Sequence, residues 1–134
     1  MKKLTFALAV GCLMICCTPE RRIVMINDTE GDVEFSWKIR EADNMHYNPF
    51  FISNSDVVQF RLKPKAPFDE VRMSFGDGSW KSDTLKALTS TLEYLKIRSA
   101  EGEIKLDSPD AIYRFLAGRR KGIGRRKIEI KITR

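Results

Sequence analysis

The chain has 134 residues, which suits one domain with a real hydrophobic core, and it contains no internal repeat or low-complexity tract. Its 24 Lys and Arg residues against 18 Asp and Glu give a net charge of +6 at pH 7. All three cysteines lie at positions 12, 16 and 17, so the sequence beyond residue 17 excludes disulfides, thiolate metal sites and catalytic thiols.

The N-terminal segment is typical of an export signal. Met1-Lys2-Lys3 is positively charged, and an uncharged apolar run follows over residues 4–15. That run is too short for a bilayer span, which needs roughly 20 residues, so it predicts a cleaved signal rather than a transmembrane helix. We therefore expect a signal peptide over 1–16, a short tether over 17–22 and a single domain over 23–134.

The cysteine that ends the apolar run resembles the acylation site of a small Bacteroides-type bacterial lipoprotein. Cys17 follows Met14-Ile15-Cys16 and is the first choice of acceptor, with Cys16 as the alternative. The resemblance implies a palmitate-bearing Cys17 that anchors the chain to a membrane of the cell envelope. Thr18, where inner-membrane lipoproteins have Asp, implies the outer membrane of a Gram-negative bacterium. The tether reaches under ~20 Å, so the domain is expected close to the lipid.

The first half of the domain predicts four strands. An apolar stretch over 22–26 is followed by a polar turn over 27–31, and residues 33–39 alternate cleanly between apolar and polar side chains. Residues 58–62 repeat the alternation before two prolines, and residues 71–75 form a fourth strand that Gly76-Asp77-Gly78 ends.

The second half predicts a helix, a hairpin, a second helix and a last strand. Ser82 is the expected cap of the first helix, and residues 99–102 form the expected hairpin turn. Ser108-Pro109-Asp110 predicts the start of the second helix, which Gly118 ends, and the isoleucines of 128–132 predict a terminal strand. The fold class expected is α+β: an antiparallel sheet or small β-sandwich of about 6–7 strands with two short helices.

Two loops carry residue types that could bind a ligand. His46, the only histidine, lies in a polar loop with nearby carboxylates, within the segment 41–52 that also contains Phe50-Phe51-Ile52. Asp77 and Trp80 lie in the glycine-rich segment 76–80, where Asp77 could accept hydrogen bonds and Trp80 could stack on a ligand or pack on the core edge. One histidine does not make a metal site, and no nucleophile elbow, phosphate-binding loop or zinc-protease motif occurs, so no metal or cofactor is expected.

Basic residues concentrate near the C-terminus. We call residues 119–127 the basic turn, because six of its nine residues are cationic: Arg119, Arg120, Lys121, Arg125, Arg126 and Lys127. Three interpretations remain open: a solvated turn that keeps an edge strand soluble, a contact for anionic lipid, or a contact for an envelope protein. Nucleic acid is not expected, although Gly122-Ile123-Gly124 resembles the turn of helix-hairpin-helix DNA binders. That motif needs a helix where the isoleucines predict a strand, and an exported chain does not meet DNA.

Two function classes follow from these patterns. The first is a lipid-anchored, non-enzymatic binding or structural module of the envelope. The alternative is a small envelope hydrolase or carbohydrate-binding domain that uses the 41–52 and 76–80 loops.

Overall fold

A computed structural model describes residues 19–40, 56–64 and 70–134. These ranges form an α+β fold of two four-stranded sheets and two helices, which confirms the predicted fold class. The elements in chain order are β1 (Glu20–Asp28), β2 (Val33–Ile39), β3 (Val57–Leu62), β4 (Glu70–Asp77), α1 (Ser82–Ser90), β5 (Leu92–Ser99), β6 (Gly102–Leu106), α2 (Pro109–Ala117), β7 (Arg120–Lys121) and β8 (Lys127–Thr133).

The strands are arranged in the orders β4-β1-β8-β7 and β3-β2-β5-β6. Every pairing is antiparallel except that of β1 with β8, which is parallel and aligns Arg22 with Lys127 and Ile26 with Lys131. A parallel pair needs a long crossover, and here the crossover is the whole chain between the two strands. The two-residue β7 is the strand that the sequence does not predict, because so short a pairing has no periodicity.

The core lies where the apolar faces of the two sheets and the helices meet. The alternation in β2 buries Phe35 and Trp37 completely, and these side chains share one cluster with Ile23 of β1 and Ile128 of β8. The helices contribute residues such as Leu116 to the same cluster. All the described elements lie within residues 20–133, so a chain that begins at residue 17 contains the whole described fold.

The second helix begins as its sequence predicts. The hydroxyl of Ser108 accepts a hydrogen bond from the backbone N–H of Ala111 at 3.2 Å, and Pro109 occupies the first helical position. Gly118 ends the helix as predicted, but with φ −68° and ψ −12°, so it does not use the left-handed conformation available to glycine.

The predicted cap of the first helix is wrong. Ser82 is already helical, and Lys81 occupies the cap position with φ −68° and ψ 159° and no side-chain cap hydrogen bond. The reason is tertiary: the backbone N–H of Trp80 donates to the carbonyl of Arg125 at 2.9 Å, which holds the preceding segment against the C-terminal turn. Lys81, the extended residue that follows this contact, is therefore the cap although its side chain cannot accept the capping hydrogen bond.

The predicted turn over 27–31 is built around a buried asparagine. The side-chain oxygen of Asn27 accepts from the N–H of Thr29 at 2.9 Å and from its hydroxyl at 2.7 Å. Its amide nitrogen donates to the carbonyls of Gly31 at 2.7 Å and Leu62 at 3.1 Å. Because Leu62 belongs to β3, one side chain both closes the β1–β2 turn and joins the two sheets.

Candidate functional site

The parallel pairing of β1 and β8 brings the start of the described chain to the basic turn. The backbone N–H of Arg22 donates to the carbonyl of Arg126 at 3.0 Å. The N–H of Gly78 donates to the carbonyl of Pro19 at 3.3 Å, so the 76–80 loop lies at the same end. We call this end of the first sheet, where residues 19–22, 78–82 and 119–127 meet, the basic end.

Trp80 is buried at the basic end and contacts both β1 and the basic turn. It is 1% exposed, its indole N–H donates to the carbonyl of Arg22 at 3.2 Å, and its backbone N–H donates to Arg125. The ring meets Phe75 edge to face with centroids 5.1 Å apart, and the guanidinium carbon of Arg21 lies 5.5 Å from the ring centroid. The burial favours the core-packing interpretation of Trp80, because the indole face that a carbohydrate would need is covered.

An open groove of about 610 Å³ runs between the start of α1 and the basic turn. Its lining residues are Ser79, Trp80, Lys81, Ser82, Arg120, Gly122, Gly124 and Arg125. The sequence predicts the basic side of this groove but not the side formed by Lys81 and Ser82. Nothing local to residues 79–82 indicates that they face a turn some forty positions away.

Two of the six cations of the basic turn are used internally. Arg119 donates to the carbonyl of Phe115 at 2.9 Å and stacks 3.6 Å from the centroid of that ring, and its partial burial lowers the pKa of the guanidinium. Arg120 donates to the carbonyls of Ala117 at 3.0 Å and Trp80 at 3.2 Å. These guanidiniums fix the turn to the body of the domain.

Two more cations share one carboxylate. The Lys121 ammonium lies 2.9 Å from Oε1 of Glu129, and the Lys127 ammonium lies 2.7 Å from Oε2. The carboxylate is only 14% exposed, and the hydrogen bonds from Lys127 and then Lys121 lower the pKa of Glu129 to about 2. Lys121, Lys127 and Glu129 together therefore have a net charge of only +1.

Arg125 and Arg126 complete the set, and neither forms an ion pair within residues 19–40, 56–64 and 70–134. Arg125 is exposed at the groove, and Arg126 is half-buried. The cations near the other end of β8 do form ion pairs. Lys131 pairs with Asp28 at 3.2 Å, and Arg134 pairs with Glu30. Among the cations of β8 and the basic turn, those without an ion pair to a described residue therefore lie at the basic end, where they can attract phosphate or carboxylate oxygens.

Asp77 is the one other predicted site residue that the structure places at the basic end. Asp77 is exposed at the end of β4, opposite Glu20 of β1. Cys17, its alternative Cys16, and the segment 41–52 with His46 lie outside the described residues. Among the residues that are described, no three His, Cys, Asp or Glu side chains come close enough to hold a metal ion. Neither α1 nor α2, the helices of the described ranges, has the length and apolar character to cross a bilayer.

Comparisons of the chain with protein-family models, with curated proteins and with solved structures find no match.

Proposed function

We propose that this chain is a lipid-anchored, non-enzymatic module of the cell envelope, acylated at Cys17, whose basic end binds the anionic surface of the membrane that carries the anchor. One observation carries the proposal: the described chain begins at the basic end, through the parallel pairing of β1 with β8. Had the two strands run antiparallel, the tether and the basic turn would lie at opposite ends of the sheet.

The tether is short enough to keep the basic turn at the lipid. From Cys17 to the first residue of β1, Glu20, the chain has three peptide steps, which reach at most about 10 Å. That reach is close to the Debye length of about 8 Å at physiological ionic strength. An acyl chain at Cys17 would therefore hold the unpaired cations within the range of the surface potential.

The distribution of charge favours the same orientation. Arg21, Arg22 and Lys81 add to the cations of the basic turn at this end, and they outnumber its carboxylates, Glu20, Asp77, Asp83 and Glu129. Each cation near an anionic leaflet contributes on the order of 1 kcal/mol to binding. This electrostatic contribution adds to the hydrophobic attachment that an acyl anchor would supply.

A test of the surface contact uses the chain from residue 17 with Cys17→Ser, so that no acyl group can anchor it. Arg125→Gln with Arg126→Gln is expected to weaken binding to phosphatidylglycerol vesicles about thirtyfold at low salt, from about 2 kcal/mol of lost attraction. The matched control is Arg61→Gln with Arg98→Gln, which removes the same charge from side chains that pair with Glu34 on the other sheet.

Sedimentation of the vesicles measures the affinity of each variant. The control pair is expected to lower the affinity much less than the pair in the basic turn. Equal losses for both pairs would mean that net charge alone drives binding, and no binding by the parent chain would refute the surface contact altogether.

A further inference from the structure

The tip of the basic turn exposes a large apolar side chain. Ile123 is 96% exposed, and the only other large hydrophobic residue exposed within the described ranges is Ile104, at 47%. Burying an isoleucine is strongly favourable, and tight turns ordinarily carry small or polar residues. The side chain of Ile123 therefore gains nothing from burial within this domain.

The backbone holds Ile123 outward rather than letting it fold onto the core. It lies between Gly122 with φ 80° and Gly124 with φ 71°, and the N–H of Arg125 closes the turn on the carbonyl of Gly122 at 3.2 Å. The contact from Trp80 to the carbonyl of Arg125 joins the turn to the buried part of the domain. One hydrogen bond therefore closes the turn around Ile123, and a second holds the turn against the segment before α1.

Cations surround the tip on both sides. Arg119, Arg120 and Lys121 precede it, and Arg125, Arg126 and Lys127 follow it. Arg126 lies close over the turn, since a methyl group added at Gly124 would meet its Nε at 3.3 Å. An apolar tip next to Arg125 and Arg126, which are unpaired within the described ranges, matches the two layers of a membrane interface, in which phosphates lie above the first acyl carbons.

We propose that Ile123 inserts into the lipid interface while the surrounding cations contact the phosphates of the same leaflet. This inference rests on the proposed function and deepens it, because it assigns an apolar contact to a surface so far argued from charge alone. The occupant is a bilayer rather than a protein, because the cations of the basic turn outnumber their one carboxylate partner, Glu129, and the described chain begins at this end.

The first experiment separates the apolar contact from the electrostatic one. In the chain from residue 17 with Cys17→Ser, Ile123→Ser is expected to weaken binding to phosphatidylglycerol vesicles about tenfold without changing the slope of affinity against salt. The slope stays because no charge is removed. Ile104→Ser, which shortens the other exposed apolar side chain, on β6 of the other sheet, is the matched control and is expected to bind like the parent.

The second experiment reports the position of the side chain directly. With Cys17→Ser the chain from residue 17 has no cysteine, so Ile123→Cys provides a single thiol for an environment-sensitive nitrobenzoxadiazole label. On anionic vesicles the emission is expected to shift to the blue and to be quenched by spin-labelled lipids, whereas a label at Ile104→Cys should remain aqueous.

The outcomes distinguish this inference from the proposed function. If the parent chain binds the vesicles but the label at position 123 stays aqueous, or Ile123→Ser binds as tightly as the parent, insertion is refuted and the surface contact stands. If the parent does not bind, both fail. Because Ile123 is exposed, its variants should unfold thermally like the parent, which excludes loss of folding as an explanation.

Discussion

Glu129 allows the electrostatics of the basic end to be tested by folding stability alone. Its carboxylate accepts from Lys127 and Lys121, and the pKa of about 2 lies well below the ordinary value of 4.5. A fall of that size corresponds to about 3 kcal/mol if none of it is screened. The lysine side chains are 58% and 33% exposed, so solvent screens part of the interaction, and we expect about 1–2 kcal/mol.

The direction with pH follows from the sign of the shift. Because folding lowers the pKa of Glu129, its stabilising contribution is fully present above pH ~4.5, the unfolded value, and is lost as the pH falls toward 2. Glu129→Gln keeps the size of the side chain but removes its charge. The variant should therefore unfold more easily than the parent by about 1–2 kcal/mol at pH 7. The difference should shrink below pH ~4.5 and vanish near pH 2.

Urea unfolding at several pH values measures this difference. Glu103→Gln is the matched control, since Glu103 pairs with Arg98 at 3.1 Å on an exposed strand and a surface pair of this kind contributes at most about 1 kcal/mol. A Glu129→Gln difference of the same size at pH 2 and pH 7 would refute the reasoning, because it would mean that packing and not charge is lost.

Two further predictions concern the anchor and the turn. Cys17→Ser should abolish palmitate labelling in cells and release the chain from membranes, and labelling that persists would move the acceptor to Cys16 or Cys12. Gly122→Ala should lower the free energy of unfolding by about 1–3 kcal/mol, because Gly122 has φ 80° and ψ 171°, a region nearly restricted to glycine. Gly118→Ala is the control for that measurement, since φ is −68° there and the added methyl group meets only ordinary contacts; equal losses at both glycines would contradict the strain argument.

Local pattern in the sequence predicted the individual elements well. The alternation over 33–39 became β2, Ser108-Pro109 became the start of α2, and the isoleucines of 128–132 became part of β8. These signals succeed because backbone sterics, capping and burial of one face act between residues that are close along the chain. The same limit explains the failure at Ser82, where a contact from a distant turn moved the cap to Lys81.

Local pattern did not show which cations of the candidate site are paired. The sequence predicted six cations in one turn, but only the tertiary structure divided them into Arg119 and Arg120, which hold the turn, and Arg125 and Arg126, which are unpaired within the described ranges. Partner carbonyls and carboxylates for such side chains come from elements that no local pattern identifies.

The sequence by itself determined which segments are strands and helices, where positive charge collects and where a leader is expected. Only the tertiary structure decided that β1 pairs with β8 in parallel, which brings Arg22 beside the basic turn. Several strands are equally apolar, and the choice between their pairings depends on how all of them pack at once. That choice is a property of the whole fold, so the arrangement on which the proposed membrane contact depends could not be read from any one segment.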